Sequence, residues 1–498
     1  MSATDFNKPY GDDLELTVTV IGDYGSSTNS IDISQQIGEL NISESIYSPG
    51  MLIDMTVLDA QGALTALPVT GQEIIVVSFK SRRRKSLTLN FRLTKLERPT
   101  AVQEKAFTYI IHGNSQIIES SMNKVCFNHF AGQTGDTIVT KIFNEYLKEG
   151  LTSDRPLQTE AASNLLTYTG AGHSPLEFIQ MATADSQSGS HPDSSLFLFY
   201  ENARGFFFRT VNDMLQQSPV AEFYYADPQT ESGQNRNYIT GFKWHHTIDA
   251  VDALTSGMIN NTVAAIDPIT KTYNEYYFNY SRDFDKLTHI NGGGKPFVRA
   301  KAGQGAFLGD SLDGSSHVRF IPTDFNVEID NQTIDGRINA TNDPFKFHAS
   351  TKHQFLPGRV ALMTSLRQHR VDITTSYVSD VCAGDIIRIF IPSNVGEENS
   401  IAKYVKYYGQ RNPTFLVTGT TLSYNGKDGT FFSTYQCSKE SYGLSLSNQG
   451  GVAASLQQIL PLGQSIEEVA TNAGQEIVEN LLPSGVSNFF KNIGNKIK

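Results

Sequence analysis

Long apolar runs are missing from this chain: nothing approaches the ~18 consecutive apolar residues of a membrane-spanning helix, so no membrane anchor is expected. The first residues, MSATDFNKPYGDDLE, lack a basic start followed by an apolar core. No signal peptide is therefore expected, and the chain is expected to be made and folded in a cytoplasm. Cysteine is scarce. Cys126, Cys382 and Cys437 are odd in number, far apart and without C-x-x-C spacing, which indicates neither a disulfide framework nor a zinc site. Charged residues make up only 18%, and 51 Asp and Glu against 40 Lys and Arg give a net charge of −11. Coating nucleic acid by phosphate neutralisation needs clustered cations, so no specific nucleic-acid binding is expected.

Reactive constellations are missing as well. No Gly-x-Ser-x-Gly elbow and no H-E-x-x-H or H-x-x-x-H spacing joins His348, His353 and His369. His245, His246 and Asp249 could supply metal ligands, but adjacent strand residues point to opposite faces. Residues 291–295, Asn-Gly-Gly-Gly-Lys, lack the phosphate-loop spacing and read as a flexible turn. Glu397 with Glu398, and Asp54 with Asp59, fall in turns or on strands, and a glycosidase pair needs a separation that sequence cannot supply. No catalytic residue, cofactor or metal ligand is expected, and the chain is read as not an enzyme.

What is present is β-structure. Phe and Tyr together number 51 in 498 residues, which favours sheets, and this length calls for about three or four domains. The most informative stretch is 44–79, ESIYSPGMLIDMTVLDAQGALTALPVTGQEIIVVSF. Ile53, Met55 and Val57 alternate with Asp54 and Thr56. Gly62 and Leu67-Pro68 break the chain before a β-branched strand at 74–79. Leu14, Leu16, Val18 and Val20 alternate too, as do Leu87, Leu89, Phe91 and Leu93, and then Phe107, Tyr109 and Ile111. Five or more strands within 13–113 imply a small barrel or sandwich, with 95–105 as a polar connection. The basic run Arg82-Arg83-Arg84-Lys85 reads as a solvated hairpin tip that could meet an acidic surface of a neighbouring subunit.

After Asn114 helices enter. Asp136-Thr137 are expected to cap a helix carrying Ile138, Ile142, Tyr146 and Leu147, stopped near Gly150. Ser174-Pro175-Leu176-Glu177 is a capping box with Pro at the first helical position. Its buried stripe is expected at Leu176, Ile179 and Ala182 or Thr183. Two short strands follow, around the turn 201–204. Strands return at 238–248, 273–280, 386–391, 415–424 and 430–437, the last two joined by an Asn425-Gly426 turn. Residues 285–342 read as an insertion and 357–370 as helical. From Asn448 a linker leads to the capping box 465–468, and Ile466, Val469, Ala473, Ile477 and Leu481 make one helical stripe. Phe489, Phe490, Ile493 and Ile497 interleave with lysines in a final amphipathic piece.

The order strand, Asp-x-x-Gly, Leu-Pro, turn, Gly-x-Glu, strand in 44–79 resembles the N-terminal barrel of central baseplate hub proteins of contractile-tailed bacteriophages. Residues 168–184 look like the hub's middle-domain helix, 196–209 are similar to its paired strands, and 415–422 with 435–442 resemble its closing hairpin. The resemblance spans 13 to about 442 and includes the related hub part of contractile secretion spikes. It implies an α+β, mainly β chain with two tail-tube-like β-barrel domains, an intervening α/β domain and a helical C-terminal extension. The expected limits are 1–114, 115–232, 233–443 with an insertion near 285–349, and 444–498.

The implied function is a structural hub, a homotrimeric ring adapting the six-fold tail tube to the three-fold central spike and forming part of the DNA conduit. Its acidity suits a passage along which a polyanion slides. The implied partners are a second and third copy, the tube or tube-initiator protein, the spike, the tape-measure protein and the baseplate wedge. Its implied place is the virion's tail baseplate, assembled in the host cytoplasm. The interface is expected at Ile53, Met55, Val57 and Arg83, at the hairpin residues Tyr424, Asn425 and Phe431, and at Ile466, Val469, Ile477, Leu481, Phe489 and Phe490. A tail-associated cell-wall hydrolase and the hub of a bacterial contractile injection machine are the alternatives.

Overall fold

The computed structural model describes residues 14–23, 28–60, 62, 69–71, 73–81, 86–97, 100–103, 106–151, 155–225, 237–246, 249–268, 271–283, 286–290, 318–322, 351–376, 380–391 and 413–440. All of these belong to the first of two units, Met1–Leu444; the second is Ser445–Lys498. Mainly β-structure with interspersed helices is what they form. Among the described residues no helix is long and apolar enough to cross a membrane.

Eight strands come first: β1 (Leu14–Asp23), β2 (Thr28–Asp32), β3 (Ile37–Ser45), β4 (Leu52–Asp59), β5 (Ile74–Ser81), β6 (Leu87–Leu96), β7 (Thr100–Gln103) and β8 (Ala106–Ser115). They pair in the order β2-β1-β5-β6-β8-β4-β3, with β7 added to β8, so the stretch expected to be a polar connection contains a strand. Between β2 and β3 the chain is tied to β1 at the 3-10 turn Ser34–Gln36, where Ile33 N donates to Val18 O at 2.9 Å and Val18 N to Ser34 Oγ at 2.8 Å. Alternation does what the sequence anticipates. Ile53, Met55 and Val57 are buried with Val18, Val77, Phe79 and Phe91 in one apolar core, each full burial contributing about 1.5–3 kcal/mol. Glu73 accepts from Thr70 N at 2.7 Å and Gly71 N at 2.8 Å. It thereby holds the turn in which Gly71 takes φ +90°, a conformation that favours glycine.

The next elements are α1 (Gln116–Met122), β9 (His129–Thr134), α2 (Gly135–Ile142), β10 (Leu157–Thr159), β11 (Leu165–Thr169), α3 (Pro175–Asp185), β12 (Phe197–Asn202), β13 (Gly205–Thr210) and α4 (Val211–Leu215). The capping box forms as read: Ser174 Oγ accepts from Glu177 N at 3.4 Å, and Glu177 Oε2 accepts from Ser174 N at 2.8 Å. Phe178 joins Ile179, Ala182 and Thr183 on the buried stripe, while Leu176 is only partly buried. α2 begins one residue before Asp136, whose Oδ1 instead accepts from Ala162 N at 3.0 Å. The helix widens to a π turn over Phe143–Leu147, which turns Phe143 and Leu147 into the core. The β12–β13 hairpin is covered on both sides, Phe197, Phe199, Phe206 and Phe208 in one cluster and Tyr200 and Phe207 in another. That double burial accounts for its nearly continuous apolar run.

The remaining elements are β14 (Ala221–Tyr224), β15 (Asn237–His246), α5 (Ala250–Thr255), β16 (Asn260–Asp267), β17 (Thr272–Asn279), α6 (Tyr280–Asp283), β18 (Val318–Pro322), α7 (Lys352–Ser365), β19 (His369–Ser376), β20 (Ile386–Phe390), β21 (Thr414–Asn425) and β22 (Thr430–Lys439). Strands β14, β15, β19, β22, β21 and β20 close a six-stranded ring. β14 and β19 were not among the strands anticipated for it. The segment expected to stay helical to residue 370 leaves its helix at Ser365 and runs as β19 from His369. There Val371, Ile373 and Thr375 alternate into the core. β17, expected in this barrel, pairs with β16, which pairs in turn with β18, in a separate three-stranded sheet. The three strands sit in chain order between α5 and α7, so the departure from the barrel begins earlier than 285.

Candidate functional site

The first eight strands, which wrap the core holding Ile53 (barrel one), and the six-stranded ring (barrel two) belong to one sheet, joined by β21. Its first part lies in barrel two, with Phe415 and Val417 in that core and Leu416 paired to Ile386. A register shift between Val417 and Gly419 follows. Beyond the bulge the strand pairs with β3, from Gly419↔Ser45 to Asn425↔Glu39. A Cβ on Gly419 would stand 3.1 Å from Glu44 O and 3.1 Å from Gln436 Oε1, closer than most Cβ contacts, so glycine suits the bulge. β22 makes the same passage: Tyr435 and Cys437 belong to core two and Phe431 to core one. Phe431 meets Phe79 edge-on at 6.1 Å and Tyr424 at 4.6 Å. At the hairpin tip Gly426 N donates to Gly38 O at 2.7 Å, and a Cβ there would lie 1.9 Å from Ile37 O.

The tip of the β12–β13 hairpin meets this joint. Glu44, on β3 in line with inward-facing Leu40 and Ile42, accepts from Ala383 N at 2.8 Å and Thr420 Oγ1 at 2.9 Å through one oxygen, and from Ala203 N at 2.9 Å through the other. Burial pushes its carboxyl up to about 7, against those three donors. Arg204 binds Asp385 through both oxygens at 2.8 and 2.6 Å, and also donates to Asp380 O at 2.6 Å. Asn202 Nδ2 donates to Ala383 O at 3.0 Å. Glu201, fully buried, pairs with Arg155 and accepts from Met51 N at 3.3 Å. Burial raises the Glu201 carboxyl even so. A cavity of about 40 Å³ lies beside Glu44, lined from both barrels by Met51, Leu89, Cys382 and Tyr435.

Each of these groups has a partner within the joint. Burial drives the Cys382 thiol well above its usual range, which leaves little thiolate for nucleophilic work. Among the described residues no group of three or more His, Cys, Asp or Glu could hold a metal ion. His245 is turned to Asp372, 2.6 Å from Nε2 to Oδ2, and His112 to Asp54 at 2.5 Å. Asp59 and Glu73 are buried within barrel one.

Ile53, Met55 and Val57 have their side chains in the core of their own barrel, so they present no free surface to a neighbour. Alternation puts Leu52, Asp54 and Leu58 on the outer face of the same strand. Phe431 is consumed in the barrel-to-barrel joint of a single chain; Tyr424 packs partly buried against the same core, and Asn425 pairs with Glu39 and Thr430. Arg83, Ile466, Val469, Ile477, Leu481, Phe489 and Phe490 lie outside the described residues. Glu44, Arg204, Asp385 and Gly419 were not singled out from sequence. One signal was available: Glu44 occupies an inward position of an alternating strand, where a carboxylate is rare unless partnered.

Neither a protein-family model nor a curated protein matches this sequence. Solved structures do. A tail protein from Neisseria meningitidis MC58 is similar at 8% identity and a TM-score of 0.48, over 85% of this chain and 97% of that one. The 43 kDa tail protein of prophage MuSo2 from Shewanella oneidensis is similar at 9% identity and a TM-score of 0.47, over 86% and 99%. A component of the E. coli type VI secretion system is similar at 11% identity and a TM-score of 0.40, over 82% and 75%.

Proposed function

We propose that this chain is the structural hub of a contractile phage tail baseplate, a homotrimeric ring that adapts the six-fold tube to the three-fold spike and forms part of the DNA conduit. The observation that carries the reading is the welding of two barrels into one sheet through β21 and β3. A chain with two barrels lets three copies offer six, which meets a six-fold partner on one side and a three-fold partner on the other. The sequence resemblance over 13 to about 442 supports it. An adaptor must also transmit load between its two faces, and a joint made of paired strands, a shared apolar core and buried ion pairs does so without a flexible linker. Within the barrels the work is binding, and no residue is assigned a catalytic role.

The outer face of the shared sheet suits a conduit wall. Asn41, Ser43, Thr421, Thr374 and Thr434 lie along it, with Ser43 to Thr421 at 3.2 Å and Thr374 to Thr434 at 3.3 Å. Uncharged hydroxyls offer a polyanion no cation to stick to. Contacts with the tube or its initiator, the spike, the tape-measure protein and the wedge are assigned to the outer strand faces, including Leu52 and Leu58, and to the segment 465–498. Solution mass tests the proposal directly: a particle of three times 54.9 kDa is expected, with six barrels around its axis by electron microscopy. A monomer that binds neither tube nor spike protein would refute it, as would cell-wall cleavage by the purified chain. Removing 449–498 is expected to weaken partner docking; normal assembly of the truncated chain would withdraw that part.

A further inference from the structure

Among the described residues β17 has one strand partner, β16, and its other edge is open. Two contacts show which residues turn their backbone to that edge: Arg282 Nη2 donates to Tyr277 O at 2.6 Å, and Asn279 N donates to Asp283 Oδ2 at 3.0 Å. Strand backbone groups alternate in direction, so Glu275 and Tyr273 present theirs on the same side. Arg282 and Asp283 thus stopper the edge at its Asn279 end, and the Glu275 N–H and C=O and the Tyr277 N–H stay open as ladder positions. Directly opposed residues share a face, which puts Tyr273, Tyr277, Ile266, Val318 and Phe320 together on one side of the sheet. There Tyr273 is 50%, Tyr277 59% and Phe320 67% exposed. On the other side Tyr276 packs against the His353 ring at 4.6 Å. A cavity of about 360 Å³ opens along the edge, between Glu275–Phe278 and the start of α7. The Arg282 and Lys286 cations that line it are both held by Asp283, at 2.6 and 3.3 Å. The Asp193 carboxylate, also in its wall, has no partner among the described residues, and the Glu275 carboxylate has only the Tyr273 hydroxyl.

We propose that the β17 edge takes an extended peptide segment of another protein as a fourth strand, with apolar side chains on the exposed face and a lysine or arginine in the cavity. An extended backbone matches N–H and C=O groups that point outward at every second residue. Side chains of an added strand alternate between the faces. Those level with Tyr273, Glu275 and Tyr277 meet the aromatic face, and those level with Asn274 and Tyr276 enter the cavity, where Asp193 lacks a cation. A second copy of the chain fits this edge poorly. Two-fold pairing of β17 with itself about its open groups sets Glu275 opposite its own copy, and like charges directly opposed are destabilising. The inference concerns the edge of one chain and does not depend on the trimeric ring.

Binding of the full chain to a synthetic peptide array tests it. The probes are peptides of about eight residues, valine alternating with threonine, in which each threonine in turn is replaced by lysine or by glutamate. Lysine peptides should bind, and glutamate peptides should bind at least about tenfold more weakly. Glu275→Pro removes an N–H that points away from β16, a change an edge strand tolerates, and should abolish binding. Asp193→Asn should weaken the lysine peptides about three- to fivefold and leave the threonine parent unchanged. In hydrogen exchange read at single residues, the Glu275 and Tyr277 amides should exchange freely in the chain alone and slow at least about tenfold with peptide bound. Four results each overturn the proposal: no peptide bound at about millimolar concentration, equal binding of lysine and glutamate peptides, unchanged affinity in Asp193→Asn, or Glu275 and Tyr277 amides already protected in the chain alone. Self-association that Glu275→Pro abolishes would seat a second copy at the edge and overturn it too. Should Glu275→Pro fail to fold, Asp193→Asn and the two amides decide.

Discussion

Phe431 is carried by a strand of barrel two and buried in the core of barrel one, so truncating it should damage a barrel to which its strand belongs only at the tip. Phe431→Ala removes a side chain that is 5% exposed, and Phe→Ala in a core costs about 3–5 kcal/mol. The edge-on contact with Phe79 and the contact with Tyr424 place it toward the upper half, since aromatic pairs add about 0.5–1.5 kcal/mol beyond area. Its neighbour Phe432 sits on the opposite face, 36% exposed. Phe432→Ala should cost about 1 kcal/mol or less. Urea unfolding gives the two losses, and hydrogen exchange locates them. The β3 and β4 amides of barrel one should lose protection in Phe431→Ala and keep it in Phe432→Ala. Phe431→Leu should recover more than half of the loss. If Phe431→Ala cost under 1 kcal/mol, or no more than Phe432→Ala, the shared core would not be what joins the barrels.

Three further outcomes are expected. Arg155→Met should destabilise by about 3–5 kcal/mol by leaving the Glu201 carboxylate buried without its cation, and adding Glu201→Leu should restore most of it in a double-mutant cycle by urea titration. Lys439 is buried, and desolvation pulls its ammonium down from 10.5 to about 7. The unfolded chain then binds more protons between pH 7 and 10.5, so this residue should make stability rise with pH there, by at most about 1.4 kcal/mol per unit. In Lys439→Met that component of the slope should vanish. Gly426→Ala, whose Cβ would lie 1.9 Å from Ile37 O, should cost about 2–3 kcal/mol through a displaced hairpin tip. Gly429→Ala, with φ +64° and open space around it, should lose only the left-handed penalty of about 1–2 kcal/mol; thermal melts of the pair distinguish them.

Much of the fold was legible because it is written in local rules. Period-two alternation located β4, β6 and β8, the Ser174 to Glu177 box located α3, and Asn425-Gly426 located the β21–β22 turn. The failures have a physical pattern. β17 pairs with the strand just before it, β16, and β16 was missed because it is buried on both faces and shows no period-two alternation. β19 was hidden behind a helix with Pro357 inside it. Residues 53, 55 and 57 were read as a contact stripe because an apolar stripe looks alike whether it faces a neighbour or its own core.

The sequence by itself determined the strand-rich character and the positions of the turns that need glycine or a cap, since each depends on residues within a few positions of one another. Only the tertiary structure decided that β21 and β22 serve two barrels, that Gly419 and Gly426 let strands approach closely, and that Glu44, Arg204 and Asp385 meet at one joint. Glu44 and Thr420 are separated by hundreds of residues, and their 2.9 Å contact comes from closing a sheet, for which no local period in the chain provides a sign.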